Sequence, residues 1–135
     1  MNKTYLSFYG YEVKKMLFEV HDDIKKGEEY QISHKIDVGV EHLESKFYNV
    51  KIDFNLCPAN DEIPVPFDLS VTVVGKFELV MDETEPGYEK TKETLLSQNA
   101  PAILFPYLRC VVSNLTLNAN ISPLILPIVN FSEDK

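Results

Sequence analysis

The chain has 135 residues, of which 44% are hydrophobic and 25% are charged, and its formal net charge is −8 at pH 7. This length and composition are typical of one globular domain, and we expect residues 1–135 to form it. A strongly negative surface repels nucleic-acid phosphates and anionic lipid, so the charge argues against both as direct partners. It suits polypeptides rich in Lys and Arg.

Hydrophobic residues at every second position predict four strands in the first part of the chain. Tyr11–Val20 changes its alternation at Lys14–Lys15, which predicts a β-bulge there. The other three strands are predicted around Ile36, Val38 and Val40, over Phe47–Cys57 and over Phe67–Met81. Turn-rich segments separate them, and Gly75 predicts a bend in the last strand.

The hydrophobic period changes to that of a helix after Pro86–Gly87. Tyr88–Gln98 predicts one helix, and a second is expected from about Pro101 to Asn118–Asn120, with Pro106 in or near its first turn. The apolar face of the second helix is formed by Leu108, Val111, Val112 and Leu115. Strands followed by helices predict an α+β fold, a four-stranded antiparallel sheet with helices packed on one face.

The apolar stretch Ala100–Phe131 contains a single charge, Arg109, but also four prolines. We therefore expect a buried segment and no transmembrane helix. The N-terminus lacks the apolar run of a signal peptide, and the two cysteines form no C-x-x-C motif. These features predict a cytoplasmic protein with free thiols, with Cys110 packed inside.

The sequence contains no motif of an enzyme. It lacks G-x-S-x-G, P-loop and G-x-G-x-x-G patterns, and it has only five glycines. His21, His34 and His42 lie far apart in sequence, without cysteines or carboxylates at the spacing of metal ligands. We expect no catalytic residues, no metal and no cofactor.

Two segments of the C-terminal third have distinctive sequences. Asn99–Arg109 contains the run Ile-Leu-Phe-Pro-Tyr, and Leu126–Phe131 ends in Val-Asn-Phe. Both segments resemble the SecB family of protein-export chaperones. Phe18-Glu19, Phe67 and Gly75-x-Phe77 follow the family's order of landmarks, so the resemblance covers about residues 10–131.

The resemblance implies a SecB-like fold and a homotetramer, a dimer of dimers with helices between outer sheets. Its interface positions fall on Leu69, Val71 and Val73. The resemblance further implies an ATP-independent chaperone that binds unfolded preproteins in apolar grooves and transfers them to the SecA motor. Client contacts are expected at open apolar side chains on both sides of the second strand and along the main helix. We assign them to Tyr30, Ile32, Leu43, Phe105, Leu108, Val112 and Leu126.

The chain departs from the family at its partner-docking face, which in SecB proteins is an acidic patch on the outer side of the sheet. The corresponding residues are Lys15, Glu19, Asp68 and Ser70. The sequence also stops at Lys135, before the last helix and tail of the family, as in a C-terminally truncated member. These departures favour an alternative, a SecB-like chaperone dedicated to one partner, such as the antitoxin of a toxin–antitoxin–chaperone system.

Overall fold

A computed structural model describes residues 5–20, 32–58 and 67–118, without the side chains at positions 32, 33, 57 and 58. The loop predicted over residues 21–29 lies outside these ranges, and so does the turn-rich break predicted over Pro58–Pro66 except for Pro58, which ends a strand. The strands and helices, in chain order, are β1 (Leu6–Val20), β2 (Ile32–His42), β3 (Phe47–Pro58), β4 (Phe67–Leu79), α1 (Tyr88–Thr94), a π-helical turn (Leu95–Asn99) and α2 (Ala100–Asn118).

The four strands form one sheet in the order β1-β4-β3-β2, and every neighbouring pair is antiparallel. The helical run packs on one face, chiefly over β4 and β3. The predicted α+β class and the position of the helices are therefore confirmed.

The first strand bends where its alternation breaks. Its register against β4 shifts between Val13 and Lys15, which confirms the predicted bulge. A second shift falls between Phe8 and Tyr11, around Gly10, whose φ of 111° is open to glycine but strained for other residues. From Lys15 to Val20, β1 then pairs with β4 in one register.

The core lies between the helical run and the inner face of the two central strands. Alternate residues of β3 and β4 point to this face, so period-2 patterning places whole rows of apolar side chains beneath α2. The fully buried side chains of these strands are Val50, Ile52, Phe54, Val71, Val73, Phe77 and Leu79. α2 completes the core with Leu104, Leu108 and Val112, and the predicted apolar face of the helix is confirmed.

The helical segments form one continuous run, whereas the sequence predicted two separate helices. The Ala100 N–H bonds to the Leu95 carbonyl, five residues back, as in a π-helical turn. Pro101, which follows, has no N–H to donate. Pro106 lies inside α2, well past the start of the run, so its predicted position near a first turn is wrong.

This run, Tyr88–Asn118, is long and apolar enough to cross a membrane by length and composition alone. Prolines were expected to interrupt such a segment, but the helix continues through two of them. Burial of one face against the sheet accounts for its apolar character. Cys110 lies on the opposite face and is exposed, so its predicted interior position is wrong.

Candidate functional site

Three of the residues predicted to bind clients belong to the core. Phe105 retains 4% of its surface exposure, and Leu108 and Val112 retain none. A side chain must be accessible to contact another polypeptide, so these three are reassigned as packing residues. The helical period placed them on the correct face of α2, and that face is the one covered by the sheet.

The other predicted client-binding residues surround the second strand or follow the main helix. Leu43 is 39% exposed in the turn after β2, where its N–H bonds to the carbonyl of Phe47. Tyr30 and Leu126 lie outside the described residues. Ile32 begins β2, with only its backbone described.

Open apolar surface occurs instead along the inner face of β2. Val38 and Val40 are 38% and 46% exposed, although they point to the same face of the sheet as the core residues Ile52 and Val50 opposite them. α2 packs on β4 and β3 and leaves this edge strand uncovered. The core layer therefore continues into an accessible strip.

A groove of about 580 Å³ separates this strip from the first part of the helical run. Val40 lines it from the sheet, and Leu96 lines it from the π-helical turn. The rest of its lining is polar or charged and consists of Glu89, Lys90, Lys92, Glu93 and Ser97. The groove thus combines apolar contacts with charges of both signs.

Lys92 lies where the groove meets the core. Its ammonium is 5.6 Å from the ring centre of Tyr48 and 5.9 Å from that of Tyr88. Contact with the Tyr48 hydroxyl is the main cause that raises the pKa of Lys92, and desolvation raises the pKa of Tyr88. The Lys92 ammonium therefore lies near two aromatic rings at the wall of the groove.

Two histidines of β2 stack on aromatic residues of β3. His42 lies 4.6 Å from Tyr48 between ring centres, and its Nε2 is 2.8 Å from the Ser45 carbonyl. His34 lies 5.7 Å from the ring of Phe54. These contacts attach the edge strand to the core, so packing explains both residues. No group of three or more His, Cys, Asp or Glu within the described ranges could hold a metal ion.

The residues implied as oligomer contacts lie beneath α2 of the same chain. Leu69 is 3% exposed, and Val71 and Val73 are fully buried. Their predicted inward orientation is confirmed. Burial beneath their own helix leaves little of their surface for a contact between subunits, and that role stays a prediction.

The predicted docking residues do share the outer face of the sheet. Glu19 lies opposite Asp68 and Leu17 lies opposite Ser70, on adjacent positions of β1 and β4. Lys15 pairs with Thr72 two residues further along. A small acidic area next to a lysine therefore exists on the exposed side of the sheet.

The described residues of the groove include no nucleophile paired with a base. Sequence reasoning missed Val40 and Leu96 as groove residues and Val38 as part of the open strip beside the groove. Alternation did place the two valines on the inner face, but it carries no information on where the helix stops covering that face. A hydrophobic edge strand next to a charged helix is the signal that could have indicated them.

Comparisons of sequence agree on one family. The protein-family model described as "Preprotein translocase subunit SecB" matches residues 6–133. An uncharacterised protein of Methanocaldococcus jannaschii is 34% identical over 131 residues, which are 95% of this chain and 81% of the relative. The protein-export protein SecB of Anaplasma phagocytophilum is 34% identical over 92 residues, which are 68% of this chain and 56% of the relative.

Comparison of structures finds the same fold. A Mycobacterium tuberculosis SecB-like chaperone, solved in complex with a peptide from an antitoxin, aligns with a TM-score of 0.73 at 18% identity. The alignment covers 92% of this chain and 90% of that one. At this identity the likeness establishes the architecture.

Proposed function

This chain belongs to the SecB family, which supports a chaperone role, and we propose that it holds unfolded polypeptides without ATP by binding their apolar segments at the β2 groove. The observation that carries this proposal is the open strip of Val38 and Val40 beside the groove. We propose no catalytic activity and no cofactor.

The groove has the properties that weak, unselective binding requires. Its volume of about 580 Å³ lies in the range of ligand pockets, and apolar burial supplies about 25 cal/mol per Å² without demanding a sequence. Its charged rim can attract or repel side chains of the client within a Debye length of about 8 Å at physiological salt. Leu43 at the end of β2 would extend the apolar contact.

A single substitution tests the site. Val40→Asp places a charge on the groove wall and should weaken binding of an unfolded, fluorescently labelled polypeptide by roughly tenfold, because the charge must lose water when the client binds. The same variant should lose most of its ability to suppress aggregation of a urea-denatured protein on dilution. Unchanged affinity would reject the groove.

Asn55→Asp is the matched control. It adds the same charge to the outer face of the sheet, opposite Lys35 of β2, where it should favour the fold. Its affinity for the unfolded polypeptide should equal that of the parent protein. If neither parent nor control suppresses aggregation at fourfold excess, the holdase proposal itself fails.

We propose export preproteins as the clients and the outer face around Glu19 and Asp68 as the surface that docks SecA. Glu19 and Asp68 lie opposite each other there, so a basic partner surface would relieve the repulsion between the two carboxylates. Glu19→Gln combined with Asp68→Asn should abolish any SecA binding seen by calorimetry. Absence of SecA binding to the parent protein would remove the motor from this proposal.

An antitoxin segment is the second candidate client, favoured by the solved complex of the SecB-like fold neighbour with an antitoxin peptide. A dedicated chaperone should recover one dominant partner from its host, and excess unfolded protein should displace that partner poorly. A general holdase should recover many partners that compete freely. The proposal further includes a cytoplasmic location and a homotetramer. Light scattering can test the homotetramer, because it measures the mass of the assembly.

A further inference from the structure

The groove beside β2 has one wall that is weakly attached to the rest of the domain. α1 contributes four charged side chains to this wall. No residue of α1 is buried, whereas Leu96, in the turn that follows it, is 5% exposed. α1 packs mainly on that turn and makes few contacts with the strands, unlike α2, which lies on β4 and β3. The two halves of the helical run therefore differ in how firmly the core holds them.

Only two side chains connect α1 to the core cluster through its aromatic residues. Tyr88 packs against the cluster while partly exposed, and the Lys92 ammonium lies 5.6 Å from the ring centre of Tyr48. That distance is near the limit of about 6 Å for a cation–π contact. The ammonium also contacts the Tyr48 hydroxyl. Breaking these contacts does not open the core, because the lysine charge gains water when it leaves the ring.

The backbone is irregular where α1 meets α2. The Ala100 N–H bonds to the Leu95 carbonyl across the π-helical turn, and the next residue, Pro101, has no N–H to donate. Within the same stretch, the Ser97 hydroxyl donates a hydrogen bond of 2.6 Å to the Glu93 carbonyl, a contact that often bends helices. An interrupted ladder of this kind is where helices change direction.

The other end of α1 begins at a glycine. Gly87 has a φ of 74°, and the N–H of Tyr88 bonds to the Glu85 carbonyl at 3.2 Å. Glycine changes between left- and right-handed conformations at little cost, and a few residues at the ends of elements suffice for a hinge. Met81, just after β4, is buried and fixes the chain where it leaves the sheet. α1 thus lies between two points at which the backbone can turn.

We propose that α1 is a hinged wall of the client groove. It turns about Gly87 and the π-helical turn, away from β2 when a client enters, and it returns to place Lys92 on Tyr48 when the groove is empty. This inference rests on the proposed function, since it describes how the β2 groove admits its client. The volume of about 580 Å³ then belongs to the closed state.

A movable wall accounts for how one groove can accept many segments. A client that binds only the open groove shifts α1 toward that state by its difference in affinity for the two states. Contacts that exist only in the closed state, chiefly those of Lys92, set the fraction of open molecules in the free protein. Segments with bulky side chains should therefore need the open state more than segments with small ones.

The distance between two spin labels measures the position of α1. In a background of Cys57→Ser and Cys110→Ser, labels are attached through Glu89→Cys on α1 and Glu41→Cys, which lies on the outer face of β2. The free protein should show a short and a longer distance, and excess unfolded polypeptide should enrich the longer one. Labels at Asn114→Cys of α2 and Glu41→Cys are the control and should keep one distance. A single distance for the Glu89 pair that the client leaves unchanged overturns the proposal.

Lys92→Met tests the contact that closes the wall. It removes the charge beside Tyr48 and keeps an apolar stem, so the ratio of open to closed molecules should rise roughly fivefold. Lys90→Met is the matched control. Lys90 lines the same groove, but within the part of the chain that the structure describes it has no aromatic ring contact, so its ratio should equal that of the parent. Equal ratios in the two variants overturn this account of the closed state.

Aggregation suppression separates this inference from the proposed function. A protein that suppresses aggregation of a urea-denatured protein while α1 keeps a single distance sinks the hinge alone. A protein in which α1 occupies two positions, but which does not suppress aggregation, sinks the holdase proposal alone.

Discussion

The side chain of Leu104 occupies the space that a Cβ atom at Gly75 would need. Gly75 is in the middle of β4, and an added Cβ would collide with Leu104 and come within 3.0 Å of Phe77 Cε1. Both of these side chains are fully buried, so neither can move into solvent. The absence of a side chain at Gly75 thus allows α2 to approach the sheet closely.

Gly75→Ala should lower the free energy of unfolding by about 1–3 kcal/mol, because an extra methyl group forces the helix away from the sheet. Urea denaturation followed by circular dichroism measures the change. In the background of Leu104→Ala the same substitution should cost much less, since the colliding atoms are gone.

Gly39→Ala is the control for this prediction. A Cβ there would meet only Lys51 Cε at 3.7 Å, an ordinary van der Waals distance. Its free energy of unfolding should stay within about 0.5 kcal/mol of the parent value. Equal losses at both glycines would show that the effect comes from the strand backbone and not from the helix contact.

Leu108→Ala should destabilise the domain by about 2–5 kcal/mol, because it leaves a cavity in a closed core. At temperatures where the variant remains folded, its affinity for an unfolded polypeptide should equal that of the parent. Calorimetry under such conditions distinguishes packing from binding. A selective loss of affinity with parental stability would return Leu108 to the client-binding surface.

The strands were predictable because each directs one row of apolar side chains to the helix side of the sheet. Apolar residues at every second position therefore indicated both the strands and their orientation. The change of parity at Lys14–Lys15 even located a bulge. The junction between helices was less accessible to sequence reasoning. A π-helical turn before Pro101 keeps the chain helical where a proline normally indicates a break.

The candidate site was predicted poorly for a different reason. Phe105 and Val40 are both apolar residues that fit the hydrophobic period of their helix and strand. Phe105 is buried and Val40 is open because α2 packs over β4 and β3 and does not reach β2. That extent depends on how a helix of fixed length lies across four strands, which no local pattern specifies. Surface exposure at the edge of a core is therefore a property of the tertiary structure.

Pro106→Ala should raise the free energy of unfolding by about 1–3 kcal/mol. Pro106 lies exposed inside α2, where a proline removes a backbone hydrogen bond and crowds the preceding turn, and little packing is lost with its ring. Thermal and urea denaturation measure the gain. A loss of stability would instead indicate that the proline sets a curvature that the packing of Leu104 and Leu108 requires.

The Lys92 ammonium should make stability depend on alkaline pH. Its folded-state pKa lies above the ordinary value of 10.5, so its favourable contribution is complete below that value and is lost as pH rises through the folded-state pKa. The difference in unfolding free energy between the parent and Lys92→Met should therefore be constant up to pH 10.5 and then shrink. Ionisation of Tyr48 or Tyr88 would strengthen the attraction to the Lys92 ammonium in the parent alone, so the phenols would enlarge the difference and cannot account for its decrease.

The Tyr48 hydroxyl is the main cause of the raised pKa of Lys92, and this gives the control. The same comparison can be made in the background of Tyr48→Phe, where the ring remains but the hydroxyl contact is lost. There, the difference in unfolding free energy between the proteins with and without Lys92→Met should shrink much less as pH rises. If the narrowing persists unchanged, the ring faces of Tyr48 and Tyr88 stabilise the ammonium by themselves. If the difference is flat even with Tyr48 intact, the lysine is fully hydrated at the groove wall and its charge is available to a bound client.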